Sequence, residues 1–473
     1  MTAPFHDPVD QMNAAVHDAD LRAALDRALG LTRRKRAAAL SELPDLEGSR
    51  RIASDIRRHT LDNLGHYITS LEGALQAGGV RGHWAADGPE AVAVIQGIAR
   101  AASAQRVVMS KSMVAEEISL EGGLTAAGME VLQTDLGERV VQLAGDRPSH
   151  ITAPCLHMSA GEIGRVFERT LGLPWTDDPE ALSRAAASDL RSGFLAADLG
   201  ITGVNLAVAD SGTLVVVENE GNVRMVTTLP RVVVSVMGIE KVVPDTPAAL
   251  HLLDLLGRSA TGQRWPGYVT WMTPRWPAEG PGPERHVVLL DNGRSRIHRA
   301  GPYRSLLWCI RCGACMNACP VYGRVGGHAY GHTYPGPIGA ALAPLLSPGP
   351  GTERLPWAST LCGECEEVCP VMIPLPGHLV RLRGDVVGRG ERGHPRLLER
   401  LAFRLWSWLM GGRLRVRLSL WLHRVGERLL PRLAARIAGR LGWHGARSRP
   451  LPAVESFRAR WARLAAPPEE EDR

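Results

Sequence analysis

The chain has 473 residues, of which 45% are hydrophobic and 22% charged. That is the composition of a soluble globular protein with room for two or three domains, and no uninterrupted apolar run reaches the ~18 residues of a membrane-spanning helix. The net charge of +6 is unevenly spread: residues 1–380 sum to −6, Arg381–Arg463 holds 20 arginines against 5 acids for +15, and the acidic tail contributes −3.

The opening Met1-Thr-Ala-Pro-Phe-His-Asp-Pro has no apolar signal core, so cytoplasm is the expected location, with the inner membrane face as a peripheral alternative. Residues 1–78 form a helical arm, read as a cap or a partner-docking element. Apolar side chains recur at helical spacing over Asp20–Leu29. A long amphipathic stretch from Ser49 to Gln76 puts Ile52, Ile56, Leu61, Leu64, Ile68, Leu71 and Leu75 on one face before Gly78-Gly79 ends it.

Over residues 79–299 strands and helices alternate. Val80–Ala85 reads as a strand, Pro89–Ala104 as a helix, Arg106–Met109 as a strand and Met113–Ala126 as a helix. Met129–Gln133 and His150–Pro154 read as strands, and Ala160–Leu171 as a helix. The alternation predicts an α/β domain with a parallel sheet. Gly200–Ala209, Gly212–Glu218, Arg224–Thr228 and Arg231–Met237 are rich in β-branched residues. With turn residues at Gly212 and Glu220-Gly221-Asn222, they predict a mixed or antiparallel extension with hairpins. Strands Gly267–Met272 and His286–Asp291 flank a proline- and glycine-rich loop at Pro274–Pro283.

Residues 300–380 carry seven of the eight cysteines. Cys309, Cys312, Cys315 and Cys319-Pro320 follow the C-x2-C-x2-C-x3-C-P spacing of a bacterial two-cluster ferredoxin, in which the fourth cysteine serves the other cluster. Zinc sites usually pair two C-x2-C units or add histidines, and disulfides are rare in the expected compartment. The second run, Cys362, Cys365 and Cys369-Pro370, has Ser359 where a leading cysteine would stand. Crossed pairing gives one set of Cys309, Cys312, Cys315 and Cys369, and a second of Cys319, Cys362 and Cys365. At the second set Ser359 can ligate through oxygen, the iron can hold another group, or it can be absent, leaving [3Fe–4S] in place of [4Fe–4S]. The insert Gly323–Ser359 is loop-rich and cannot form a core of its own, but it could offer N–H groups to the sulfurs.

Residues 381–473 read as basic helices that dock a partner, lie on a membrane surface or, with least support, contact nucleic acid. Lysine survives only at positions 35, 111 and 241, which singles these out, because arginine substitutes poorly for a compact ammonium. Lys111 stands before a helix start suited to a carboxylate or phosphate. Further polar candidates are Asp198 with Asn205, and Glu218 with Asn219, Glu220 and Asn222. His150, His157, His328 and His332 have base chemistry, Cys155 reads as a buried apolar residue, and no G-x-G-x-x-G opens a dinucleotide site.

Several strings resemble the lactate-utilisation protein B family. They include Ser110-Lys111-Ser112-Met113 with Glu116-Glu117, Pro148-Ser149-His150-Ile151, Asn219-Glu220-Gly221-Asn222, Asp291-Asn292-Gly293-Arg294-Ser295, Gly327-His328-Ala329-Tyr330, and both cysteine runs. The resemblance implies a LUD domain, similar to the sugar-isomerase and CoA-transferase-like α/β fold, joined to a small helical ferredoxin-like module with two clusters. It also implies one subunit of a cytoplasmic three-part system oxidising L-lactate to pyruvate, whose partners are a cysteine-rich iron–sulfur protein and a smaller LUD protein. Ser359 departs from the four-cysteine form of the second run and leaves the type of that cluster open. The rival readings are a redox-sensing regulatory protein and a LUD domain with acyl or isomerase chemistry on Glu116, Glu117 or Glu220.

Overall fold

The computed structural model describes residues 8–274, 282–389 and 397–430, with residues 453, 455 and 457–464 near the end. These fall into two compact units, Met1–Asp385 and Val386–Arg473.

The first unit is mixed α/β with a mainly parallel sheet. Six parallel strands, β1 (Arg81–Ala85), β2 (Arg106–Met109), β3 (Glu130–Gln133), β4 (Leu199–Gly203), β7 (Val232–Gly238) and β10 (Glu284–Leu290), lie in the order β1-β10-β7-β4-β2-β3. The central strands β4 and β7 are buried along their whole length, as a sheet covered on both faces requires, so they read as apolar runs without alternation. A second, mixed sheet in the order β8-β5-β6-β9 holds β5 (Leu206–Val208), β6 (Thr213–Glu218), β8 (Val242–Val243) and β9 (Tyr268–Met272). The hairpin expected at Gly212 joins β5 to β6, and Gly212 takes the positive φ of 70° that its turn requires.

The arm is four helices, α1 (Pro8–Val16), α2 (Ala19–Ser41), α3 (Leu46–Asp62) and α4 (Leu64–Ala77), the expected long stretch breaking at Asn63. It shares one apolar core with the second sheet and the cysteine module: Leu25, Leu61, Val215, Leu252, Tyr322 and Ile338 belong to the same buried cluster.

Four expectations are corrected. Arg224–Thr228 is part of a helix, Asn222–Thr228, so Glu220-Gly221-Asn222 is a strand-to-helix turn and makes no hairpin. The Glu218 carboxylate accepts the Val223 N–H at 2.7 Å, and the threonine hydroxyls bond back into the helix, Thr227 to the Val223 carbonyl at 2.8 Å. Local capping outweighs β-branched composition there. His150–Pro154 is a loop, closed on itself by the Ser149 N–H to the Pro154 carbonyl. Met113–Ala126 is two helices parted at Ser119, whose φ is 53°. The insert holds a helix, Gly336–Leu346, buried almost throughout within the shared core. Helices Leu136–Ala144, Pro179–Ala196 and Thr246–Ala260 were not anticipated. Of the Pro274–Pro283 loop, residues 275–281 lie outside the described ones.

In the second unit, helices Leu397–Met410 and Arg413–Leu429 expose Phe403, Trp406, Trp408 and Trp421, and the Arg415 guanidinium sits 4.6 Å above the Trp408 ring. No helix among the described residues is long and apolar enough to cross a membrane.

Arg57 on α3 is 1% exposed and serves four backbone carbonyls: those of Glu240, Val242 at 3.0 Å, Leu307 at 3.0 Å and Trp308 at 3.2 Å. It therefore ties the arm to the α/β domain and to the approach to the first cysteine run. Arg57→Ala strands several buried acceptors and is expected to cost about 3–5 kcal/mol. The measurement is the denaturant midpoint of the anaerobically prepared protein, and an unchanged midpoint would mean that water satisfies those carbonyls.

Candidate functional site

The two cysteine runs fold as copies of one loop. Arg311 and Gly313 flank Cys312 with φ of 61° and 75°, and Leu361 and Gly363 flank Cys362 with φ of 57° and 96°. The Arg311 N–H lies 3.4 Å from the Cys309 sulfur, and the Leu361 N–H lies 3.1 Å from the Ser359 hydroxyl oxygen. Ser359 therefore stands in its loop as Cys309 does in the other. Non-glycine residues in the left-handed region are strained, and the same strain in both loops turns successive donors inward.

The thiols sort into two groups by which of them feel one another. Burial pushes Cys312 up to about 12, and Cys309 and Cys369 add to the shift. Cys315, held well above the usual thiol range by burial, feels Cys309, Cys312 and Cys369. Cys365, also at about 12 through burial, feels Cys319 and Cys362 and, least, Cys369. Sulfurs that raise each other in a buried place suit a cationic metal centre, which would deprotonate them. Backbone N–H groups reach the sulfurs from Tyr322 to Cys319 at 3.5 Å and from Ile373 to Cys369 at 3.4 Å, and from Ile338 in the insert to Cys315. Cys362 is exposed, so the second group lies nearer the surface.

The arm adds arginines here: Arg33 donates to the Asn317 carbonyl at 2.5 Å, Arg36 to Val368 at 2.8 Å and Arg50 to Cys369 at 3.1 Å. Such cations suit a centre that carries negative charge.

A cavity of about 250 Å³ opens in the α/β domain, below the roughly 300–1,000 Å³ of drug-sized ligand sites, so it suits a small molecule better than a dinucleotide. Lys111, Asn219, Glu220 and Asn222 all line it. Lys111 is committed within the protein, paired to Glu116 at 3.2 Å and to Glu138. Burial works against its charge, but the two carboxylates outweigh burial and hold it above the usual range. The Asn219 Oδ1 accepts the Gly267 N–H at 2.8 Å, and the Asn222 amide donates to the Thr134 hydroxyl at 3.1 Å. Burial and the nearby Asp135 push the Glu220 carboxyl up to about 7.

Sequence reasoning did not place Asp135, Arg311 or Tyr334 on this wall, and it singled out Lys241 without assigning it to a site. The scarcity of lysine was the available signal for Lys241. Arg311 lies between Cys309 and Cys312, so the first cysteine loop is part of the cavity wall.

Asn205 and Glu218 also line this cavity, and the other candidates lie elsewhere. His157 bonds Asp146 at 3.1 Å and Ser149 at 2.8 Å, and His328 bonds the Arg147 carbonyl at 2.6 Å, clasping the insert to the 146–150 loop. Asp198 accepts the N–H groups of Gln105 and Arg106, and the Asn205 side chain accepts the Val217 N–H at 2.9 Å. Burial raises Cys155 to about 11. Glu117 is bound to Arg294 through both oxygens at 2.8 Å.

Residues 68–294 match the LUD domain family and residues 305–373 the 4Fe-4S dicluster domain. Lactate utilization protein B of Bacillus cereus (strain B4264) is 40% identical over 460 residues, 95% of each chain. The same protein of Bacillus thuringiensis (strain Al Hakam) and lactate utilization protein B 2 of Bacillus mycoides (strain KBAB4) match at the same identity and coverage. The chain belongs to the lactate utilization protein B family. A solved DUF162 family protein from Deinococcus radiodurans covers 48% of this chain and 98% of its own at 13% identity and TM-score 0.28, a likeness too weak to carry an argument. In this family member the iron–sulfur domain and the LUD cavity meet at Arg311.

His150 is buried and His332 half-buried, and their surroundings favour the neutral form of both. Each accepts a backbone N–H at Nδ1, from Thr152 and Tyr334 respectively, both at 3.1 Å, and burial holds both at about 4. The unfolded chain, with histidines near 6.5, binds more protons between those values. Stability should therefore fall as pH drops from about 6.5 toward 4. Thermal unfolding of the anaerobic protein across that range tests this, and His332→Gln should flatten the dependence. An unflattened curve would mean that His332 titrates alike in both states.

Proposed function

We propose that this chain is the iron–sulfur electron-transfer subunit of a multi-subunit system that oxidises L-lactate to pyruvate. Its partners in that reading are a cysteine-rich iron–sulfur protein and a smaller LUD protein. The single observation that carries the reading is Arg311, which belongs to the first cysteine loop and to the cavity wall alike.

In this reading Cys309, Cys312, Cys315 and Cys369 hold the inner cluster. Cys319, Cys362 and Cys365 hold the outer one, with Ser359 at the fourth protein position. Bound there, the clusters supply one-electron storage. The chain's own residues do the rest: the arm's arginines and the N–H groups of Tyr322, Ile338 and Ile373 offset sulfur charge, the shared core excludes water, and the exposed Cys362 gives the module an outward end. The relatives carry lactate utilisation in their names, and the cavity is of a size for a small acid.

Two measurements test this. Anaerobically purified chain should be bleached by L-lactate when both partner proteins are present and stay oxidised when either is missing. Bleaching that never occurs with the full set would sink the reading. Ser359→Cys should alter the EPR spectrum of one cluster and leave the other as it was, and identical spectra would mean that position 359 does not reach the metal.

A further inference from the structure

Three cations line the LUD cavity, and they are not equivalent. Lys111 is neutralised by Glu116 and Glu138. Lys241 is 6% exposed and, among the described residues, makes no ion pair or hydrogen bond through its ammonium. Burial, with Arg311 adding to it, pulls its pKa down to about 8 against the opposing effect of Glu240 and Cys309. Arg311 has a side chain 8% exposed. Its guanidinium lies 4.2 Å over the Tyr334 ring and one nitrogen is 3.7 Å from Glu240. Its Nη1 is buried with no hydrogen-bond partner.

Glu240 does not cancel these two charges. One of its oxygens is held by Arg294 at 2.6 Å, so a single carboxylate faces several cations. The acids on the cavity wall do not cancel them either. Among the described residues none of Asp135, Glu218 and Glu220 pairs with Lys241 or Arg311, and burial, with Asp135 adding to it, pushes the Glu220 carboxyl up to about 7. Apolar groups, among them Val204, Val216, Leu256 and Ala260, make up much of the remaining wall. Buried cations whose N–H groups are not all answered are costly, and here they border a small space with apolar walls.

We propose that this cavity is the binding site for a small 2-hydroxy- or 2-oxo-carboxylate, with the carboxylate held by the Lys241 ammonium and the free Arg311 nitrogen. The inference rests on the electron-transfer reading for its choice of acid. It goes further by assigning substrate recognition to this subunit and to these two side chains. It also accounts for a lysine at 241 in a chain that uses arginine almost everywhere: beside Arg311 a compact ammonium fits where a second guanidinium would not.

The competing role for both cations is to offset the charge of the inner cluster, and the test separates the two. Binding of oxamate, a pyruvate analogue without an oxidisable hydrogen, is measured by calorimetry on the full anaerobic chain with its clusters loaded. L-lactate and its neutral amide, lactamide, are compared with it. Expected is one site for oxamate and lactate, with lactamide at least about tenfold weaker. Lys241→Met should weaken oxamate at least about tenfold while the iron content and EPR spectrum stay unchanged. Equal binding of lactamide and lactate, no binding of either acid, or a Lys241→Met chain that binds oxamate normally but shifts the cluster potential would each overturn the proposal. The lactamide comparison uses the unaltered chain, so it holds even if the variant fails to fold. Absence of acid binding with lactate still bleaching the clusters through the partners removes this inference alone. Acid binding with no bleaching under any condition removes the electron-transfer reading and leaves the site.

Discussion

A single buried guanidinium holds the two halves of the molecule in register. Arg294, 1% exposed, grips both oxygens of Glu117 and one of Glu240. Asn292 and the Tyr334 hydroxyl complete Glu117, each at 2.6 Å. Arg311 covers the Tyr334 ring. Glu117 and Glu240 come from the LUD domain, Tyr334 from the insert and Arg311 from the first cysteine loop. Taking such charges out of water is tolerable only when their lone pairs and N–H groups are answered; Glu117 and Arg294 are answered here, while Glu240 Oε1 and Arg311 Nη1 are left without a hydrogen bond. Burial favours a neutral Glu117, but Arg294 prevails and holds it at about 2. The space around this knot is fixed as well: a Cβ on Gly238 would lie 2.1 Å from a Glu240 oxygen and 2.3 Å from the Arg294 Nε.

That knot is why the cysteine module is not a bead on a tether. Its loops, the arm and the second sheet share one core, and Arg57, Arg33, Arg36 and Arg50 cross between them to backbone carbonyls. A cavity wall made partly of a cluster loop is stable only in such a construction. Hinge motion between the halves would break the Tyr334–Glu117–Arg294 chain of bonds before it moved Arg311 away from the cavity.

What could be read in the sequence was what is local. Cysteine spacing places donors within a few residues of one another, so the iron–sulfur module was legible as a segment. Alternating patterns exposed the parallel sheet, because strands buried on both faces are apolar throughout. Partnerships between distant segments were hidden. Glu117 and Arg294 are 177 positions apart, and nothing near Arg311 hints that it shares a cavity wall with Lys241. Lys111 was picked for its place before a helix, yet Glu138, itself at a helix start, had already claimed its charge. At Asn222–Thr228 one carboxylate, Glu218, caps the chain and turns a β-branched run into helix.

The matched loops carry a consequence for how the protein is made. In the proposed ligand sets each copy closes most of a nest but takes its last sulfur from the other copy, Cys369 serving with the first group and Cys319 with the second. Translation delivers the first copy well before Cys369 emerges, so neither nest can be finished early. Both become available together, once the insert helix and the arm have closed around them. With those ligand sets metal loading would be a late and joint event, and a chain cut short within the second loop would be left with two incomplete nests where a tandem arrangement would have kept one intact.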